Sequence, residues 1–321
     1  MRPPWFSRTA RYRCGNVGLS SRCIFGEPQV RGVIAFFAAR SDAVPETVRI
    51  VAPGVWFREG DLKDLGHCNN VIIEMKDYLI VVDANFPSGA RAAMADAKRI
   101  SSKPVKYVFD THHHGDHLYG NAVWTQTGAT TLAFKGVSEE LKRLEPARWK
   151  DSAKARPDVA GMNSDGPEPP KQDINEPVYL LNDGSRKVEF HHYGWAHTRG
   201  DGFVYIPKEQ VLCTGDAVVN GPYNFTGDGN IGNWPTVLHT AEKLKVKTVL
   251  PGHGVPGGRE LIAGQAQFMT ELYKAVKTGI DQGKSVEELQ ASVKLPEALG
   301  PWVGERTLKA QIKDAYTKIK K

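Results

Sequence analysis

The stretch DTHHHGDHLYGN, Asp110 to Asn121, carries four of the chain's ten histidines within six residues. It follows an apolar run at 105–109, which reads as a short buried strand behind Pro104. Strand side chains alternate, so His112 and His114 leave the strand end on the same side. Asp116 continues that spacing, and His117 falls where a new helix would begin. Imidazoles and a carboxylate so placed are ligands for zinc, and iron or manganese accept the same set. The bland alternative is a polar loop that happens to hold histidines, and the density of imidazoles counts against it.

Three more residues occupy the same kind of setting. His197 lies in WAHTRGD (195–201) after a strand, Asp216 closes LCTGD, and His253 sits in LPGHG. A strand end meeting glycine is where open α/β sheets place their sites. The order His-x-His-x-Asp-His, then His-Thr with Gly-Asp, then Thr-Gly-Asp, then Pro-Gly-His resembles the metallo-β-lactamase superfamily. That resemblance implies an α/β fold, the four-layer αββα sandwich, around a binuclear metal site. It implies two Zn2+ as cofactors, with iron or manganese as the other metals such a site takes. His112, His114 and His197 would hold one ion, Asp116, His117 and His253 the other, and Asp216 would bridge them. Asp83, ending an expected strand, and Thr198 would support these ligands from behind, with a turn cap as the competing role for Asp83.

One position narrows the branch. The best-known lactamases carry cysteine where this chain has Asp216, and another lactamase class carries serine. A bridging aspartate resembles glyoxalase II, lactonases, alkylsulfatases and tRNA-processing nucleases. The implied activity is metal-dependent hydrolysis of a small carbonyl substrate: an ester, thioester, lactone or β-lactam. Two ions about 3.5–4 Å apart share a water and lower its pKa towards ~7, which supplies hydroxide as nucleophile. Asp116 is the catalytic candidate for steering that water's proton. Tyr193, Tyr223 and Asn224 are candidates for protonating the leaving group, although a loop tyrosine more often packs. An iron-dependent oxidoreductase like the persulfide dioxygenases is the alternative, followed by a metallo-nuclease and a non-catalytic scaffold.

Charge placement weighs against nucleic acid. The net charge is +6, but residues 1–50 hold eight arginines against three acids, leaving +1 for the other 271 residues. A basic groove would need that excess on the folded body. No apolar run approaches the ~18 residues of a membrane span. The four cysteines (14, 23, 68, 213) show no CxxC spacing, and Cys213 reads as a core residue of its strand. The oligomeric state is left open.

The elements that must position these residues can be read in outline. Residues 1–45 look unlike the rest. A basic region, the short apolar run 32–39 and a small-x-small site near 41–43 are the parts of an export signal. A disordered extension or a start placed too far upstream is the alternative reading. Residues 46–258 alternate strands and helices as a layered domain does. Strands are expected near 48–52 and 55–57, then a hairpin from 70–75 and 78–83. A helix at 87–101, the strand 105–109, a helix at 118–127, a strand at 130–134 and a helix at 137–144 follow. Residues 145–176, with five prolines and little periodicity, read as an irregular insertion, either a lid over the site or a solvated excursion. Strands at 178–181, 187–190, 202–206, 210–213 and 246–250 surround a helix at 235–244. Helices at 259–279, 285–293 and 305–320 form a C-terminal extension, 259–321. Its Lys274, Lys277 and Lys284 are basic, as glyoxalase II's glutathione site would require, but nothing in the sequence sets them over the metals. His113 is expected to point away from its neighbours, His191, His192 and His239 to make ordinary hydrogen bonds, and His67 with Cys68 to be at most a weak ligand pair.

Overall fold

Alternation along the strands dictates the layering. A computed structural model describes residues 47–320; the export-signal segment expected within 1–45 lies outside them. Seven strands stand side by side in chain order: β1 (Val48–Ala52), β2 (Val55–Arg58), β3 (Asn70–Glu74), β4 (Leu79–Val82), β5 (Val105–Phe109), β6 (Thr130–Phe134) and β7 (Gln172–Ile174). The first four pair antiparallel and β4 to β7 pair parallel. A second sheet holds β8 (Val178–Asn182), β9 (Lys187–His191), β10 (Phe203–Ile206), β11 (Val211–Gly215) and β12 (Thr248–Pro251), with only β11 and β12 parallel.

In each sheet every second side chain enters the space between the sheets. Ile80 and Val82 of β4 meet Val204, Ile206, Val211 and Cys213 of the second sheet in one buried cluster. Leu79 and Val81 point the other way, against Ala90, Ala93 and Ala97 of α1 (Pro87–Ile100). Phe203, Tyr205 and Leu212 likewise turn outward. They pack with α6 (Trp234–Ala241) and α7 (Glu260–Asp281), whose buried faces carry Trp234, Leu238, Ile262 and Phe268. Sheets whose central strands are buried on both faces, with helices outside them, make the expected αββα sandwich. The C-terminal helices α8 (Val286–Ser292) and α9 (Glu305–Ile319) contribute Leu289, Ile312 and Ala315 to the same cluster as α7. The tail therefore shares the core of the second sheet.

Two expectations are corrected. The single helix at 118–127 is two short ones, α2 (Gly115–Leu118) and α3 (Asn121–Thr125). Residues 145–176 are irregular only over 161–171: α4 (Lys135–Ala155) continues through Pro146, α5 (Pro157–Ala160) follows, and β7 extends the first sheet. A proline inside a helix costs roughly 3 kcal/mol or more. Burial on both sides of it offsets that cost here. The Tyr119 hydroxyl donates to buried Glu145 at 2.6 Å, and Trp149 packs among Leu118, Tyr119, Val137 and Leu141. This tertiary packing is invisible to a count of prolines. The segment reaches the cleft not as a loop but through one helix face: Glu145, Arg148, Asp151 and Ser152 line it.

Candidate metal centre

Loops at the carboxyl ends of β4, β5, β11 and β12 and the β9–β10 connection converge at one end of the sandwich. The turn after β5 delivers His112 and His114, and α2 delivers Asp116 and His117. Asp216 follows β11 directly and His253 follows β12. His112, His114 and His197 offer nitrogens within 4.8 Å of one another, and so do Asp116, His117 and His253 with their own ligand atoms. Asp216 lies between the groups. Its Oδ1 is 3.4 Å from His117 Nε2, and its Oδ2 is 3.3 Å from His253 Nε2 and 3.9 Å from His197 Nε2.

The hydrogen-bond pattern tests whether a metal fits. His197 Nδ1 donates to the carbonyl of Phe225 at 3.0 Å, which leaves Nε2 with a bare lone pair. His114 Nε2 donates to Asp228 Oδ2 at 2.8 Å, which leaves Nδ1 bare as well. These two acceptors face each other at 3.0 Å, and His112 Nε2 lies 3.1 Å from the same His114 nitrogen. Only a proton or a cation can occupy that space. Burial and the neighbouring His114 push His197 down to about 3, so a proton is disfavoured. Zinc–nitrogen bonds of roughly 2.0–2.1 Å set tetrahedral donors about 3.3 Å apart, close to the spacing found. On the other side His117 Nε2 and Asp216 Oδ1 are buried with no hydrogen-bond partner. Such orphans are what a metal would satisfy.

The two halves also differ in proton affinity. Burial, then repulsion from His117, holds His112 well below its ordinary value. Burial also opposes charge on His253, but the carboxylates of Asp216 and Asp116 outweigh it and lift it to about 9. Burial opposes charge on His117 as well, but Cys68 first and then Asp116, Asp216 and Asp83 raise it, and burial of Asp116 and Asp216 is overcome by these histidines, so both carboxyls stay well below their usual range. Protons on His117 and His253 stand where a cation would otherwise balance the two carboxylates.

Supporting residues explain how this geometry is held. Asp83 Oδ2 accepts from His117 Nδ1 at 2.9 Å, and its Oδ1 accepts the Thr111 amide at 2.8 Å. Asp83 and Asn85 both take φ of 67°, a left-handed conformation uncommon outside glycine. That turn re-aims the Asp83 carboxylate from the strand axis onto His117. Thr198 touches none of the seven side chains through its hydroxyl. Its Oγ1 donates to Asp201 Oδ1 at 2.7 Å, stapling the turn that presents His197. Gly252 is required sterically, because a Cβ there would lie 2.0 Å from Asp216 Oδ1. Of the proposed proton donors, Tyr223 lines the cleft. Tyr193 instead packs on Phe203 and stacks on His191, and Asn224 is buried beside Trp302 and Gln311.

The remaining histidines are accounted for. His113 is buried, 3.4 Å from Asp228 and 3.6 Å from Glu145. His191 pairs with Glu189, His192 donates to the Asp201 carbonyl, and His239 pairs with Glu242. His67 bonds Ser88, while Cys68 lies behind His117 and Asp83. Lys274, Lys277 and Lys284 are absent from the cleft lining. Two contributors escaped sequence reasoning. Asp228, in the glycine-flanked TGDGN, had only that flanking as a signal. Asn69 clamps the His253 turn by donating to the carbonyls of Pro251 (2.9 Å) and Gly254 (2.8 Å), and nothing local marked it.

Comparison with known proteins agrees with this architecture. The profile of the metallo-beta-lactamase superfamily matches residues 64–253. The type 2 metallo-beta-lactamase of Bacillus sp. (strain 170) is 24% identical over 200 residues, covering 60% of this chain and 69% of that one. The structure of a metallo-beta-lactamase from Pontibacter korlensis superposes with a TM-score of 0.58 at 19% identity, covering 70% of this chain and 98% of that one. A double mutant of the sec-alkyl sulfatase PisA1 superposes with a TM-score of 0.69 at 18% identity, covering 85% of this chain and half of that one. The chain belongs to the metallo-beta-lactamase superfamily, a fold family made up mostly of metal-dependent hydrolases. No helix among the described residues is long and apolar enough to cross a membrane.

Proposed function

We propose that the protein is a di-zinc hydrolase of small carbonyl substrates: esters, thioesters, lactones or β-lactams. The observation that carries this reading is Asp216, a carboxylate facing both clusters at 3.3–3.9 Å from His253 and His197. His112, His114 and His197 would hold one ion, Asp116, His117 and His253 the second, and Asp216 both. When bound, such a pair supplies a water of lowered pKa and Lewis acidity at the carbonyl.

The chain's own groups do the rest. Asp116 Oδ2, 3.0 Å from His253 Nε2 and partly exposed to the cleft, is the carboxylate best set to take the attacking water's proton. In the overall reaction water adds OH to the acyl carbon and a proton to the departing oxygen, sulfur or nitrogen. The Tyr223 hydroxyl, at the cleft wall, is the group available to deliver that proton. Asp83, Asp228 and the Phe225 carbonyl fix three imidazoles in the tautomer a metal requires. Elemental analysis of protein purified without added metal tests the reading. About two zinc per chain, with hydrolysis of a neutral ester abolished by a chelator, is expected. One iron per chain and no zinc would overturn it in favour of oxygen-dependent sulfur chemistry.

A further inference from the structure

The cleft above the seven residues encloses about 580 Å³, and its walls differ in kind. Leu62, Phe86, Tyr223 and Phe225 form apolar wall. Phe225 is 50% exposed and Tyr223 41%, whereas most aromatic side chains of the fold are buried. These rings are held open rather than left loose. Between them Asn224 is buried, and its carbonyl accepts from Gln311 of α9 at 2.7 Å. The Phe225 carbonyl is fixed by His197, and the Thr226 hydroxyl donates to Asp314 of α9 at 2.7 Å. Lys318 of the same helix donates to the carbonyls of Thr226 and Gly229. A loop tied down at Asn224, Phe225, Thr226 and Gly229 holds the backbone beneath both rings in place, with the Phe225 ring edge-on to His114 at 5.3 Å between centroids. It is pre-organised to receive an apolar group.

The charged lining points the same way. Among the described residues that line the cleft, Arg148 is the one lysine or arginine. Its guanidinium donates to both Asp228 oxygens, at 2.7 and 3.0 Å, and to Glu145 at 3.0 Å. Recognition of a substrate carboxylate calls for a cation free to form a bidentate pair. This one is already paired, and the acid Asp151 of the same wall is likewise paired, with Lys154 at 2.8 Å.

We infer that the substrate is an uncharged ester or lactone with an apolar acyl arm, clamped by Phe225 and Tyr223 against Leu62 and Phe86. Carboxylate-bearing lactams and glutathione thioesters are disfavoured. The bond that is cut rests on the hydrolase reading; the flank that is accepted rests on the cleft alone. Two series on the metal-loaded full-length protein separate these. One is turnover of p-nitrophenyl esters from acetyl to octanoyl beside ω-carboxylated esters of equal length. The other is calorimetric binding of straight-chain methyl ketones, which water cannot cleave. Both kcat/KM and ketone affinity are expected to rise about two- to fourfold per methylene, as burial of each group predicts. The carboxylated esters should be slower by tenfold or more. Phe225→Ala should flatten both slopes and Phe225→Leu restore most of them. Ketone binding that tracks chain length without any ester turnover would sink the hydrolase reading and leave the clamp standing. Ester turnover indifferent to chain length, or as fast with the carboxylated series, would overturn the clamp and leave the hydrolase.

Discussion

Replacing Asp228 with asparagine probes the centre from behind, without replacing any of the seven converging residues. Asp228 takes the Nε2 proton of His114 at 2.8 Å and both arms of Arg148 at 2.7 and 3.0 Å. Burial works against its charge, but hydrogen bonds from His113, His114 and Arg148 hold its carboxyl far below the ordinary range. The substituted amide would keep an oxygen for His114 but lose the charge and turn an N–H2 group towards Arg148. Loss of a carboxylate behind a ligating histidine typically weakens metal affinity 10- to 100-fold, about 1.4–2.7 kcal/mol. The fold should suffer less. Arg148 is 36% exposed and keeps Glu145, so the broken ion pair is worth about 1 kcal/mol or less after solvent screening. Competition against a chromophoric zinc chelator resolves the outcome. D228N should weaken one of two binding steps, the one assigned to His112, His114 and His197, with little change in the Tm of the metal-free protein. Equal weakening of both steps, or of neither, would refute the argument that Asp228 acts through His114.

Three further outcomes follow from the same geometry. Gly252→Ala should displace Asp216, because the new Cβ would meet its Oδ1 at 2.0 Å and the Gly215 carbonyl carbon at 2.8 Å. A fall of roughly 100-fold in hydrolysis with an unchanged circular dichroism spectrum is expected, the scale of a ~1 Å misplacement. Lys318→Met removes donors to Thr226 and Gly229, so the loop carrying Phe225 and Asp228 should loosen; zinc affinity a few-fold weaker and faster amide exchange across 224–229 would be seen. The third concerns pH. His253 is raised from its ordinary 6.5 to about 9, so its pairing with Asp116 and Asp216 stabilises the metal-free fold fully below 6.5 and is lost as pH passes 9. A metal must displace that proton. His117 is raised too, so affinity at the site of Asp116, His117 and His253 should climb at least tenfold per pH unit up to about 9, measured by chelator competition; a flat profile would contradict it.

Much of this arrangement was legible in the residue order, for local reasons. Short apolar runs at 70–75, 78–83 and 105–109, set off by a polar turn and by Pro104, announce buried strands because they are too short for a buried helix. His197, three residues before Gly200, and the glycine-flanked Asp216 and His253 announce strand-end turns because only short, permissive backbone lets side chains gather there. Ligand-type residues in such turns are readable one by one. Other features depend on contacts between distant segments. Pro146 stands inside α4 because Tyr119 and Trp149 bury its surroundings, and no window around Pro146 contains Tyr119. Asp228 serves His114 from 114 positions away, and α9 reaches across the fold to set the loop between Tyr223 and Gly229. Sequence by itself determined the layered class and which side chains could ligate, since period and residue chemistry are local properties. Tertiary structure alone decided their tautomers, the pairing of Arg148 and the open aromatic wall. Those are set by which carbonyls and carboxylates fold within about 3 Å of them.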